Sequence, residues 1–351
     1  MLKKKYNVAI VGCGVIANTH IRALKKINNL PVVAVCDIDE KKAIDISKKW
    51  KIGHHYTDFS DMLSKEDISI LSILTPPSSH PFLAIEAIKH GINVLIEKPF
   101  TMTTKEAKSV IRALKGSKAK MTVVYHWLYS KAMLKSLSLI RENEIGEILH
   151  ANIKVAQNAK EDTMASDPNH WCHRLFGGRF GEMLPHPIYV LQSILGDNLR
   201  TTKTLVSKRG TLPWLPNDEL YSILESEKAI ASLYISLNAT RPLINVEVYG
   251  TRKILKIDLT RQMVLQSGSS NMSNFYIGKD SLLEASKLLF MTARNALRYS
   301  FRNHGDVSIA YKMFSESIEK GSDPLVTPEM AYNTVRIVED ICKEFDKSEQ
   351  K

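Results

Sequence analysis

Gly12-Cys13-Gly14-Val15-Ile16-Ala17 is the first stretch of the chain whose residue types and spacing point to chemistry. A short apolar run, residues 6–11, precedes it, and a helix-like stretch to about Lys26 follows. The first glycine permits a tight turn, the second lets backbone approach a pyrophosphate, and the small Ala17 lets helix and strand pack closely. The helix start then offers N–H groups to phosphates. The next apolar run, residues 32–36, ends at Asp37, 20 residues beyond Ala17. A carboxylate there accepts hydrogen bonds from adenosine ribose hydroxyls and repels a 2′-phosphate. This strand–turn–helix–strand–acid order predicts a dinucleotide site that prefers NAD over NADP. Its cofactor residues are Gly12, Gly14, Val15, Ile16, Ala17 and Asp37, and the nearby Lys41 and Lys42 blur the preference.

Glu97-Lys98-Pro99 follows a further apolar run, residues 93–96. Ligands of open parallel sheets gather at the carboxyl ends of the strands, so Lys98 is aimed at a cleft. The proline restricts the chain and is a candidate for a cis bond. Without other support, a lysine after a strand is more often simply solvated. His170, Trp171, Cys172, His173, Glu182 and His186 form a second cluster. His-x-Cys-His is not a recognised metal-ligand spacing, so no metal is expected. Trp171 beside His170 suits either a wall that stacks on a sugar ring or a tryptophan packed under a loop.

The elements that must position these residues change character along the chain. Up to about residue 125, continuous apolar runs alternate with helical stretches, at 68–74, 93–96 and 121–125 for strands and 40–50, 81–90 and 104–114 for helices. That pattern predicts a parallel sheet covered on both faces. After about residue 145, longer alternating segments appear, at 147–157, 202–208, 221–225, 229–237, 245–249 and 254–259. They predict a large, mostly antiparallel, open sheet with few helices, at 183–195, 280–302, 306–320 and 328–345. The expected fold is an α/β Rossmann domain, residues 1–125, joined to an α+β substrate and oligomerisation domain, residues 126–327. A C-terminal helix, residues 328–351, is expected to pack back on the first domain.

The chain resembles the glucose–fructose oxidoreductase / inositol dehydrogenase / rhizopine-catabolism (Gfo/Idh/MocA) family. The matching stretches are residues 8–17, Thr75-Pro-Pro-Ser-Ser-His80, Val94-Leu-Ile-Glu-Lys-Pro99, residues 177–186 and Pro324-Leu-Val-Thr-Pro328, in the family's order. The resemblance implies that Lys98 is catalytic or orients substrate, with Glu182 and His186 as its catalytic companions. It adds Thr75, Pro76, His80, Glu97 and Lys98 to the cofactor side, and His126, Trp171 and His173 to the substrate side. Two departures stand out. The family's Asp-x-Gly-x-His is Glu182-Met183-Leu184-Pro185-His186, and its Asn-then-Arg after the strand ending at Tyr125 is His126-Trp127-Leu128.

Oxidising a secondary alcohol removes a hydroxyl proton as hydride leaves carbon, which calls for a base of near-neutral pKa. Histidine has one by default, and lysine acquires one beside a positive ring in a cleft. The expected activity is hydride transfer between a nicotinamide and a secondary alcohol or ketone of a sugar, polyol or nucleotide sugar. Reduction of a C=C, C=N or dihydrodiol substrate, or non-catalytic NAD(H) sensing, are the alternatives. His186 is expected four residues after Glu182 on one helix face.

The composition is that of a globular protein, with 44% hydrophobic and 24% charged residues. The net charge of +11 is spread along the chain and is compatible with an anionic substrate, and no nucleic-acid motif accompanies it. Four scattered cysteines read as reduced thiols and a cytoplasmic setting. Lys3-Lys4-Lys5 and the following apolar stretch imitate a signal peptide, but the glycine motif accounts for that stretch better. The alternation at 229–237 and 245–249 predicts an apolar open face and a homo-oligomer, dimer or tetramer, joined through it. Residues 280–302, capped by Asp280 or Ser281, combine many apolar positions with Arg294, Arg298 and Arg302 on one face. They are expected to pack structurally and shape the substrate-domain wall, in preference to a membrane surface.

Overall fold

In the computed structural model, residues 4–268, 273–296 and 307–348 are described. The chain divides into two units, Met1–His126 with Asp306–Arg336, and Trp127–Gly305 with Ile337–Lys351. The first unit is thus discontinuous in sequence, since Asp306–Arg336 returns to it.

In the first unit, strands and helices alternate: β1 (Val8–Val11), α1 (Val15–Leu24), β2 (Val32–Cys36), α2 (Glu40–Trp50), β3 (His54–Tyr56), α3 (Phe59–Lys65), β4 (Ile70–Ile73), α4 (His80–Lys89), β5 (Asn93–Glu97), α5 (Thr104–Leu114) and β6 (Met121–Val124). The strands form one parallel sheet, ordered β3-β2-β1-β4-β5-β6. Strands β1, β4 and β6 are buried throughout, as continuous apolar runs require when helices cover both faces. Local signals set several helix starts. Asp39 and Asp58 cap α2 and α3, and Thr103 with Glu106 forms a reciprocal capping box on α5. The order reverses between β1 and β4, so the glycine turn after β1 and the loop after β4 meet at the switch point. The short β3 and α3 are absent from the sequence reading, because three and seven residues carry too little periodicity to register.

The second unit begins with α6 (Lys131–Arg141), which the sequence reading missed. There follow β7 (Ile148–Asn158), α7 (Thr163–Ser166), α8 (Gly178–Met183), α9 (Pro185–Leu195), β8 (Arg200–Ser207), β9 (Glu219–Glu225), β10 (Ile230–Ser236), β11 (Asn238–Gly250), β12 (Ile254–Asp258), β13 (Met263–Ser267) and α10 (Asn274–Ala296). The strands form a seven-stranded sheet, ordered β13-β12-β11-β7-β10-β9-β8, antiparallel except for β10 on β7. Ala151, Ile153 and Val155 of β7 are fully buried on one face. The opposite face carries a polar ladder. Asn152 donates to Glu247 at 3.1 Å, Tyr249 to Glu247 at 2.8 Å, and Tyr234 to Glu219 at 2.7 Å. The face expected to be apolar is mixed: beside these bonds, Leu205, Tyr221 and Ile230 on the same face are 42–57% exposed.

Two helices close the chain, α11 (Val307–Lys320) and α12 (Pro328–Ser348). Tyr311 and Phe314 of α11 are built into the same core as Val8, Ile10 and Ile21. The division between the units falls inside α12, after Arg336.

Helix α10 is also corrected. It starts at Asn274, so neither Asp280 nor Ser281 caps it. It touches β13, and Lys256 pairs with its Glu284 at 3.2 Å. Yet Phe275, Leu282, Leu289 and Phe290 are 67–75% exposed, so their side of the helix is open among the described residues. Arg298 and Arg302, part of the expected basic face, lie outside the described residues.

Candidate active site

Each unit holds part of the candidate machinery. In the first, β1 delivers the chain to Gly12, whose φ is +96°. A Cβ there would stand 2.7 Å from the Leu74 carbonyl carbon and oxygen, so only glycine fits between β1 and the loop after β4. Gly14 opens α1, and nothing lies within 4 Å of where its Cβ would be. Its backbone is thus approachable by a bulky anion, and Val15 beside it is 92% exposed. Ala17 is buried against the sheet. Asp37 Oδ2 accepts the Cys13 N–H at 2.7 Å, and Oδ1 accepts the Asp39 N–H at 2.9 Å. The carboxylate is so fixed beside the glycine turn. These residues fit a dinucleotide: an open glycine backbone, a helix N-terminus and an oriented acid lie together.

The loop after β4 carries Thr75 and Pro76. Ser79 donates to the Thr75 hydroxyl at 2.7 Å. His80, expected to touch the cofactor, is 1% exposed and lies between backbone carbonyls, Thr75 O at 2.9 Å and Pro99 O at 3.0 Å. Burial pushes its imidazole below the usual value. His80 therefore clamps the Thr75 loop to the Lys98–Pro99 turn, whose peptide bond is cis.

Glu97 ends β5. Its Oε2 accepts the Lys98 N–H at 3.0 Å, and its Oε1 accepts from His20 Nε2 at 2.9 Å. Nδ1 of the fully buried His20 meets the Tyr311 hydroxyl at 2.9 Å, and that hydroxyl meets Ser72 Oγ at 2.5 Å. A relay of four side chains from α11, β4, α1 and β5 thus ends at the residue before Lys98. Burial alone raises the Glu97 carboxyl, but the His20 bond and charge, with His126 and Lys98, outweigh it and hold the carboxyl below its ordinary value. Burial pushes the Tyr311 hydroxyl up, so it stays protonated. Neither His20 nor Tyr311 figured in the sequence reading. His20 lies on α1 three residues past Ala17, and a polar residue on that buried helix face was the available signal. Tyr311, 291 residues from His20, gave none.

In the second unit, Glu182 lies in α8 and His186 in α9, which Pro185 opens. The expected single helix face is replaced by two abutting helices. His186 is 7% exposed and stacks on Trp127, ring centroids 4.7 Å apart and planes at 24°. Its Nδ1 lies 2.9 Å from the Tyr189 hydroxyl, which accepts the Trp127 N–H at 3.2 Å. When Nδ1 carries the proton and donates to Tyr189, Nε2 is the basic nitrogen.

Glu182 is 3% exposed and pairs with Arg179. Arg179 Nη2 and Nε donate to Asp162 at 2.6 and 2.9 Å, and Nη2 donates to Gln157 at 3.2 Å. Burial opposes the guanidinium charge, yet Glu182 and Asp162 more than restore it and raise its pKa. Arg179 was missed, although its spacing of three from Glu182 is a legible helix pairing. Gly177, at φ +80°, precedes α8, and a Cβ there would fall 2.3 Å from Cys342 Sγ.

The remaining substrate-side residues are spread out. Trp171 is 44% exposed, in reach of a stacking partner from solvent. His173 Nε2 lies 3.0 Å from the Asp167 carbonyl. His173, Phe176, Arg179, Trp214 and Phe345 are among the residues around a cavity of about 230 Å³. His126, half-buried, follows β6 at the end of the first unit's main segment. The cluster weighed as metal ligands is otherwise engaged: His170 caps the Cys172 N–H, and Cys172 Sγ meets the Met164 carbonyl. All four cysteines are buried thiols outside any disulfide, and burial pushes the Cys13 thiol up to about 12.

Residues 6–125 match the model of an oxidoreductase family with an NAD-binding Rossmann fold, and residues 133–256 match the GFO/IDH/MocA C-terminal domain. Oxidoreductase P35 of Formosa agariphila is 30% identical over 202 residues, 56% of this chain and 62% of that protein. Inositol 2-dehydrogenase of Salmonella typhimurium is 26% identical over 224 residues, 63% of this chain and 64% of that protein. The chain so spans less than two thirds of these curated relatives. Among solved structures, the WlbA dehydrogenase of Bordetella pertussis in complex with NADH and UDP-GlcNAcA superposes with a TM-score of 0.79 at 16% identity, covering 99% of this chain and 97% of that one. Levoglucosan dehydrogenase, in complex with NADH and levoglucosan, gives 0.78 at 17% identity, with 98% of each chain covered. At these identities the structural matches show the fold.

Proposed function

From the premise that the chain belongs to the Gfo/Idh/MocA oxidoreductase family, with its NAD-binding Rossmann fold, we propose that it is a dehydrogenase or reductase. It acts on a secondary alcohol or ketone of a sugar, polyol or nucleotide sugar. The observation that carries this reading is the pairing, in one unit, of the open glycine turn with a fixed Asp37 and the braced Glu97–Lys98 strand end.

Bound NAD supplies the hydride acceptor, or NADH the donor. The chain's own residues supply the rest. Gly14 and the α1 N-terminus receive the pyrophosphate, and Asp37 receives the ribose hydroxyls. Lys98 Nζ moves the proton of the reacting hydroxyl, a role that suits an amine beside a positively charged ring. His186 is the second acid–base group, oriented by Tyr189 and Trp127. The ion pair with Arg179 makes Glu182 a positioning residue for the α8–α9 segment, which carries His186.

The test is a titration of NADH and NADPH, followed by a turnover panel of polyols, free sugars and nucleotide sugars. Tighter NADH binding and nicotinamide reduction with at least one substrate class are expected. Equal or tighter NADPH binding would remove the role given to Asp37. NADH binding without turnover across the panel would make the chain a nicotinamide sensor.

A further inference from the structure

Helix α10 spans 23 residues, about 34 Å at 1.5 Å rise per residue. Along it, Phe275 is 75% exposed, Leu282 72%, Leu289 73%, Phe290 67% and Leu283 44%. At about 100° per residue these five side chains fall within an arc of roughly 120°, which exposed Lys279 shares, while Tyr276, Ile277 and Leu288, 40–46% exposed, lie outside it. Such an arc is wider than the narrow seam of two paired helices and suits a flat apolar surface. Soluble proteins rarely leave so many large apolar side chains together on one exposed face.

The charges on the helix are sorted as well. Lys279, Lys287 and Arg294 are exposed, whereas Asp280 and Glu284 are half-buried on the side toward β13. Glu284 is further neutralised by Lys256 at 3.2 Å. Among the described residues, every fully exposed charge of the helix is therefore basic. The next charged residues in the sequence, Arg298 and Arg302, are basic too, and the chain carries +11 overall. No helix among the described residues is long and apolar enough to cross a membrane.

We infer that α10 is a membrane-surface helix, whose outward face lies in the interface of an anionic lipid bilayer. Phe275, Leu282, Leu289 and Phe290 enter the acyl boundary, Lys287 and Arg294 beside the arc extend to anionic headgroups, and Lys279 within the arc reaches them by its long stem. Charge complementarity selects this occupant. A second copy of α10 would set the same cations against each other, whereas an anionic lipid surface attracts all of them. The helix thus places a polar-substrate enzyme at a membrane, without spanning it.

The test is flotation of the full chain with vesicles of phosphatidylcholine alone, or mixed with phosphatidylglycerol. Binding to the mixed vesicles is expected to be about tenfold tighter or better, and to weaken with salt. Leu282→Ser with Leu289→Ser, and separately Lys279→Glu with Lys287→Glu and Arg294→Glu, should each cut binding by about tenfold or more. Both variants should keep wild-type NADH affinity, which reports folding independently of lipid. Equal binding to both vesicle types, or variants that bind as wild type, would overturn the inference. So would a fall in solution mass of the leucine variant without any lipid binding by the wild type, which would assign the face to a second copy. Should the variants misfold, Phe290→Trp provides the check: a blue-shifted emission on mixed vesicles supports insertion, and an unchanged spectrum overturns it.

Discussion

The two candidate half-sites are held by opposite means. In the first unit, hydroxyls and an imidazole converge on one carboxylate, Ser72 to Tyr311 to His20 to Glu97. In the second, two carboxylates converge on one guanidinium, Asp162 and Glu182 on Arg179. A hydrogen-bonded relay that loses a member leaves a polar group short of one partner. A buried ion cluster that loses the cation two carboxylates share leaves both short of a counter-charge, which costs far more. The first unit is thus built to fix the strand end before Lys98, and the second to hold a segment together.

The comparison is sharpened most by Lys98→Met. Turnover should fall by roughly two to four powers of ten with NADH affinity nearly unchanged. Single-turnover kinetics with any accepted substrate checks this, and undiminished turnover would leave the first half-site without its chemistry. Next comes Arg179→Met. Removing the cation from a buried cluster should destabilise the protein by about 3–5 kcal/mol, read as a shift in the denaturant midpoint. A loss below about 1 kcal/mol would place the cluster in the class of solvated surface pairs and erase the contrast. Tyr311→Phe should cost less, about 1–3 kcal/mol, because it deprives His20 Nδ1 and Ser72 of one shared hydroxyl. If it costs as much as Arg179→Met, the two networks are not different in kind.

The smallest effect concerns acid. The Glu97 carboxyl is held below its ordinary value in the folded chain. Its contribution to stability is therefore present above the unfolded carboxyl pKa, about 4.3, and is lost as pH falls through the lower folded value. The stability gap between wild type and Glu97→Gln should be constant near neutrality and shrink below about pH 4. A gap that instead shrinks as pH rises would reverse the assigned sign.

How much was legible follows the same divide. The glycine turn, Asp37, Glu97 and Lys98 could be read because backbone geometry and strand order dictate them over a few residues. The parallel and antiparallel sheets were readable from their apolar periods. Arg179 and Asp162 lie 17 residues apart, and nothing in either neighbourhood announces that they meet. The relay is less legible still, since His20 and Tyr311 are joined only by the return of α11. The second sheet's open face was legible only in part: Asn152, Tyr234 and Glu247 alternate as a surface strand does, and only the cross-strand partners show what they do.

The return of α11 has a consequence for how the protein is made. A ribosome releases the six strands of the first unit long before it reaches Tyr311 and Phe314, which complete that unit's core. Domains generally fold as units in the order of synthesis, but here the first unit must wait for a helix made after the whole second sheet. During that interval the pocket for Tyr311 is open, and the buried nitrogen and hydroxyl of His20 and Ser72 have only water to meet. The nascent chain therefore acquires its cofactor-side framework late, after the whole of the second sheet has been synthesised.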